Sequence, residues 1–273
     1  MENGTNMFWS CYDLTAFDSN LNSLVDGTQM FSNCHALPSF NVKLPSLTTG
    51  TNMFAHCTNL TSFASDLSSL TNGYQMFAHC TNLTSISADL SSLTNGSYMF
   101  SYCYNLTAFD SDLSSLTNGL YMFSDCKLDT ASIQKIADTI KDVTGLTEEG
   151  TFVGEVQKQI DIGIENSAPN ELEKTAFRAM ASKGWKVYVI GSSGSMTQWN
   201  PASTDGEETV TPIPFWAKPV ESDEQHAKYV DSEGNYYNIL GAQFIYGDDL
   251  STYGMFTNEE DAAANMGLTK IEK

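Results

Sequence analysis

Apolar residues return along the first half of the chain with a period of 23. Met7, Met30, Met53, Met76, Met99 and Met122 keep this spacing, and each is followed by a phenylalanine, Phe8 through Phe123. Cys11, Cys34, Cys57, Cys80, Cys103 and Cys126 share the register, as do leucine columns that begin at Leu14, Leu21 and Leu24. Phe17, Phe40, Phe63, Ile86 and Phe109 complete the set, with Ser, Thr, Asn and Gly filling most of the space between. Seven apolar columns in 23 residues cannot close a core within one unit, whereas stacked coils bury each column as an internal ladder. Residues 60–63 and their equivalents predict a short parallel strand, and the Met-Phe-x-x-Cys segment predicts a helical turn on the opposite side. A glycine column, Gly4 through Gly119, is preceded by Asn in four of six units, which predicts a bend at positive φ.

The register breaks after Cys126, where Asp129 stands at a leucine position. Residues 129–132 offer helix N-caps before Ile133, Ile136, Ala137 and Ile140, an apolar stripe at helical spacing. Residues 159–164 alternate like a strand. Residues 170–183 predict a second helix with Leu172, Ala176, Phe177 and Met180 on one face, ended by Gly184. Residues 185–190 predict a strand, and the strand, helix, strand order suits a parallel crossover. Residues 191–212 are polar and predict a linker. Beyond it, strands are expected at 229–231, 236–240 and 243–246, followed by a helix from 258 to 266.

The pattern Met-Phe-x-x-Cys-x-x-Leu-x-x-Phe…Leu-x-x-Leu-x-x-Gly resembles the BspA-like leucine-rich repeats of bacterial surface proteins. That family usually carries Ala where this chain has Met, and a Leu-Pro that survives here only as Leu44-Pro45. The Asn-Gly-x-x-Met-Phe portion is also similar to the 23-residue repeats of mycoplasma surface lipoproteins. The resemblance covers residues 1–126 and implies an α/β fold, a leucine-rich-repeat solenoid with a parallel sheet. Four regions are expected: repeats at 1–126, an α/β cap of the solenoid at 127–190, the linker at 191–212, and a small α+β assembly module at 213–273. The cap, which ends in Lys-Gly-Trp, is similar to segments that follow such repeats in proteins of gut bacteria and their phages. The last sixty residues resemble virion proteins of crAss-like gut phages.

Charge narrows the possible partners. Of 273 residues, 33 are acidic and 13 basic, a formal charge of −20. Such a chain repels phosphate backbones and anionic lipid, so neither nucleic acid nor membrane insertion is expected. No apolar run approaches the roughly 18 residues of a spanning helix. The first residues have neither the basic region nor the apolar stretch of a secretory signal.

The candidate chemistry reduces mostly to architecture. Stacked coils hold successive cysteine Cβ vectors parallel, so the column is expected to remain six free thiols, buried as small hydrophobes, which favours folding in a reducing compartment. His56 and His79 precede inward cysteines and are expected to point outward, without converging on a metal. Asp66, Asp89 and Asp112 form a carboxylate column expected to bond the Leu-Ser-Ser turns that follow them, in preference to calcium. No catalytic motif, phosphate loop or cofactor signature is found, and no enzyme activity, metal or cofactor is expected. Outward columns vary more than inward ones, and Tyr98, Tyr102, Tyr104 and Tyr121 gather on the last two coils as the candidate ligand-binding patch.

These features point to a non-catalytic structural or recognition protein that binds protein or glycan through its repeat surface. A bacteriophage virion protein (fibre, tail or head decoration), made in the host cytoplasm, fits the missing signal and the free thiols. Its partners would be other virion proteins, a host-surface protein or glycan, or further copies of itself. The alternative is a BspA-like adhesin on a bacterial cell surface.

Overall fold

The computed structural model describes residues 2–147, 157–166, 168–191 and 196–199, with the strand residues 207–208, 217–220, 229–230, 236–239 and 269–270. The chain divides into two compact units, Met1–Val210 and Thr211–Lys273.

In the first unit the 23-residue period becomes backbone hydrogen bonding between successive coils. Two-residue strands β1 (Ser39–Phe40), β2 (Ser62–Phe63), β3 (Ser85–Ile86) and β4 (Ala108–Phe109) pair in parallel, β1 with β2 and β3 with β4. A second line of parallel bridges links Asn3, Asp26, Thr49, Asn72, Asn95 and Asn118. Inside, Met30, Phe31, Cys34, Leu37 and Leu47 and their copies in the coils that follow are buried in one continuous core. The phenylalanine ladder Phe31, Phe54, Phe77, Phe100 stacks nearly parallel at centroid spacings of 5.4 to 5.6 Å.

Two expectations for the coil are corrected. The Met-Phe-x-x-Cys segment is a run of tight turns, with alternate amides donating to the next coil: Gln29 to Thr51, Phe31 to Met53, Asn33 to Ala55. This geometry needs left-handed residues at two points, and they fall at Gln29, Asn52, Gln75 and Tyr98 and at Asn33, His56, His79 and Tyr102, with φ between 52° and 63°. The glycine column is not left-handed. A Cβ on Gly50 would sit 2.8 Å from the Met76 sulfur, and one on Gly27 2.7 Å from that of Met53. Glycine is therefore present to admit the methionine of the next coil. The preceding Asn has a different task, accepting from the amide two residues on, as Asn72 does from Tyr74 (3.1 Å).

Past the repeats, β5 (Asn118–Leu128), β6 (Gln157–Ile164) and β7 (Lys186–Ile190) pair in parallel, joined through α1 (Thr130–Thr139) and α2 (Glu171–Ser182). Asp129 caps α1 by accepting from the Ser132 amide, and Asn170 with Glu173 forms a capping box on α2. Leu172 is 67% exposed. Glu173 takes the buried place beside Ala176, Phe177 and Met180, its carboxylate accepting from Thr130 Oγ1 and the Asn170 amide. The stretch expected as a linker contains β8 (Met196–Trp199) and β9 (Glu207–Glu208), which extend the sheet antiparallel in the order β5-β6-β7-β8-β9. Trp199 is buried against Phe177, with rings 5.4 Å apart.

In the second unit, β10 (Ala217–Val220), β11 (Tyr229–Val230), β12 (Tyr236–Ile239) and β13 (Thr269–Lys270) form an antiparallel sheet in the order β10-β12-β11-β13. β11 and β12 fall within two of the expected strands. The strand expected at 243–246 and the helix expected at 258–266 lie outside the described residues.

Candidate functional site: an aromatic row at the end of the repeats

The two left-handed columns carry five outward rings, His56, His79, Tyr98, Tyr102 and Tyr121. In one, His56 stacks on His79 at 4.4 Å, and His79 stacks on Tyr102 at 4.5 Å. Tyr104 meets Tyr102 edge-on at 6.2 Å and is 44% exposed. In the other, Tyr98 lies 5.0 Å from Tyr121 and 6.0 Å from Tyr74. Left-handed backbone is costly for a bulky side chain, by about 1–2 kcal/mol, and the remaining positions of these columns hold Asn, Gln, Ser or Asp. Ring stacking between coils offsets that cost.

The four candidate tyrosines thus form two adjoining pairs with different surroundings. Tyr104 is exposed and Tyr102 half-buried on the histidine row. Tyr98 and Tyr121 are half-buried at the junction with β6, where burial first, and the neighbouring Asp161 and other tyrosines second, push both phenols well above their ordinary value. Burial, with His56 alongside, lowers His79 to about 4, so its imidazole is neutral at physiological pH. The row offers flat rings and neutral nitrogens on a strongly acidic chain.

Asp161 was not visible to sequence reasoning as part of this site. In every earlier coil the amide at the first left-handed position donates to a carbonyl of the next coil, as Gln75 does to Ser97 and Tyr98 to Leu120. Tyr121 donates instead to the carboxylate of Asp161, 2.6 Å away, and Gln159 Nε2 donates to the same group. Asp161 is fully buried, and desolvation raises it from 3.8 to about 7 against the opposing effect of those two donors. Ser132 plays a similar part on the strand side. Its hydroxyl accepts from the Phe109 amide (2.8 Å) and donates to the Thr107 carbonyl (3.2 Å).

Each buried thiol has a partner. Cys57 donates to the Phe31 carbonyl at 3.1 Å, and Cys80, Cys103 and Cys126 repeat the contact one coil further on each time. Burial pushes Cys34 up to about 11 and raises the four that follow it well above the ordinary thiol value, so these side chains stay protonated. Cys11 is exposed, which corrects the expectation of a wholly buried column: among the described residues only one coil packs against it, whereas the other five lie between two. Asp66, Asp89 and Asp112 accept from the amides of Ser68, Ser91 and Ser114, as expected. Among the described residues no three His, Cys, Asp or Glu side chains gather as a metal-ligand set, and no helix is long and apolar enough to cross a membrane.

Comparison with known proteins agrees with this architecture. The family model for BspA-type leucine-rich repeat regions matches in six copies, at residues 2–84 and 27–144, just over half of the chain. No curated protein and no solved structure matches, so the resemblance of the last sixty residues to phage virion proteins gains no support there.

Proposed function

The chain belongs to the BspA-type leucine-rich-repeat family, and from that premise we propose that it is a non-catalytic recognition protein, a solenoid closed at one end by α1 and β6. Its ligand, a surface protein or glycan, meets the row formed by His79, Tyr102 and Tyr104, with Tyr98 and Tyr121 holding the row against the closing segment. The observation that carries this reading is the row itself. Large rings replace Asn, Gln and Ser at left-handed positions on the outer surface, where the core gains nothing from them. Exposed tyrosine combines a flat apolar face with a polar tip, which suits either class of ligand.

Two settings fit. A virion-associated role is favoured by five buried thiols that each donate to a carbonyl, an arrangement suited to assembly in a reducing cytoplasm. The acidic Thr211–Lys273 unit then serves assembly with other virion proteins. A bacterial surface adhesin is favoured by the family's own type. Binding of the intact protein to bacterial cells, before and after periodate or protease treatment, tests the reading. Tyr104→Ala should weaken binding at least about tenfold, as a contact aromatic does, with unchanged thermal stability. Equal binding by wild type and Tyr104→Ala would remove the site from this row.

A further inference from the structure

We propose that the joint between the last coil and β6 is a proton-controlled latch, held by Asp161, that regulates the aromatic row; the inference rests on the reading of that row as the ligand site. The joint adapts two kinds of backbone to each other. β5 keeps the left-handed residues of a coil, Tyr121 (φ 54°) and Asp125 (φ 60°), whereas β6 has none. Their pairing therefore slips three times, between Asn118, Gly119, Phe123 and Leu128. β6 and β7, by contrast, stay in step from Gln159–Lys186 to Gly163–Ile190. Opposite the two left-handed residues β6 carries Asp161 and Gly163. A Cβ on Gly163 would lie 2.5 Å from the Cys126 carbonyl oxygen, so there the backbones close on each other directly. At Tyr121 the Asp161 carboxylate spans the gap instead, accepting from the amide at 2.6 Å.

This link can ionise. Those between earlier coils at the same position run from amide to carbonyl and do not titrate, as from Tyr98 to Leu120. The donors to Asp161, the Tyr121 amide and Gln159, are neutral. Tyr188 lies beside it in register on β7, and Tyr98 and Tyr121 face it from the last two coils. The charged residues on the same elements are Asp125 and Lys127 on β5, Lys158 on β6 and Lys186 on β7; Asp125 and Lys158 are half-buried and the other two exposed. The ion pairs among the described residues, Lys135–Asp110 and Lys174–Glu171, do not include Asp161.

A proton therefore keeps the latch shut. Asp161 is fully buried, and an ionised carboxylate there draws water in, which the slipped β5–β6 pairing admits by parting. Its carboxyl is raised from 3.8 to about 7 in the closed joint. Opening thus becomes about tenfold easier per pH unit between those values and levels off above them. Parting removes the support of Tyr121, whose ring lies 5.0 Å from Tyr98, and loosens the coil that carries Tyr102 and Tyr104. Ligand is held best in acid.

Amide exchange followed by NMR on the full chain reads the latch without ligand. Protection of the Tyr121 amide, corrected for intrinsic rate and divided by that of the Tyr98 amide, should fall at least about tenfold from pH 5 to 7. The ratio should stay constant in Asp161→Asn, and the Asp161 carboxyl carbon of the wild type should titrate near neutrality. A constant ratio in the wild type overturns the proposal, as does a carboxyl that titrates near the ordinary value. Binding to bacterial cells should be at least about threefold tighter at pH 5 than at about pH 7.5, and Asp161→Asn should lose most of that difference. His56 belongs to the row in both proteins and cancels in the comparison. An equal pH dependence in the two proteins overturns the regulation. If Tyr104→Ala leaves binding at pH 5 unchanged, the row is not the ligand site, and the exchange ratio still judges the latch.

Discussion

Replacing Asp161 by asparagine tests how the repeats are closed. The carboxylate stands where the next coil would supply a carbonyl to the Tyr121 amide, and it is fully buried. Its folded-state value, about 7, lies above the ordinary 3.8. The folded chain thus holds a proton that the unfolded chain has released between those values, and stability falls as pH rises through that window. This is opposite in sign to a salt-bridged acid. At about 1.4 kcal/mol per tenfold, the penalty is below about 1 kcal/mol at pH 4 and reaches about 4 kcal/mol by pH 8. The substitution Asp161→Asn keeps an oxygen for the Tyr121 amide and removes the ionisation, although the new side-chain amide then faces the Gln159 donor. Urea unfolding followed by circular dichroism should show Asp161→Asn more stable than wild type at pH 8, by about 1–3 kcal/mol after that loss. The advantage should shrink or reverse at pH 4. Parallel stability–pH profiles for the two proteins between pH 4 and 8 would refute the reasoning, since they would mean that Asp161 does not change protonation on folding.

Three further outcomes follow from the coil. Leu70→Ala empties a fully buried site in a middle coil and should cost about 2–5 kcal/mol in chemical denaturation, spread to adjacent coils by nearest-neighbour coupling. Gly50→Ala should cost about 1–3 kcal/mol through overlap with the Met76 sulfur 2.8 Å away, and Met76→Ala in the same chain should recover part of it; no recovery would return the explanation to backbone conformation. Thiol titration of the native protein should find Cys11 reactive at once and Cys34, Cys57, Cys80, Cys103 and Cys126 only after unfolding, because burial holds them protonated and covered.

The repeat was legible in the sequence because its columns are a one-dimensional signal. A residue that recurs every 23 positions is buried by its own copies, so Met30, Phe31, Cys34 and Leu47 could be placed without knowing anything remote. Helix ends were legible for a similar reason, since Asp129 and Asn170 act on amides two or three residues away. The glycine column misled because two physical causes select glycine. Positive φ is a local property, whereas room for the Met76 sulfur beside Gly50 depends on the neighbouring coil. Leu172 and Glu173 exchanged places on α2 because a neighbouring helix supplied Thr130 to bond the carboxylate.

What closes the repeats could be decided only in three dimensions. Asp161 lies 40 positions from the amide it satisfies, outside the period, and Trp199 reaches its place against Phe177 from a stretch whose composition is that of a linker. The candidate tyrosines show the same division. Their register places all four on neighbouring coils, but their exposure depends on how β6 and β7 lie against the last coil, leaving Tyr104 open and half-burying Tyr98 and Tyr121. A period specifies what each coil gives its neighbours. The end of a stack has a neighbour missing, and non-repeating side chains folded back from elsewhere in the chain must complete its hydrogen bonds.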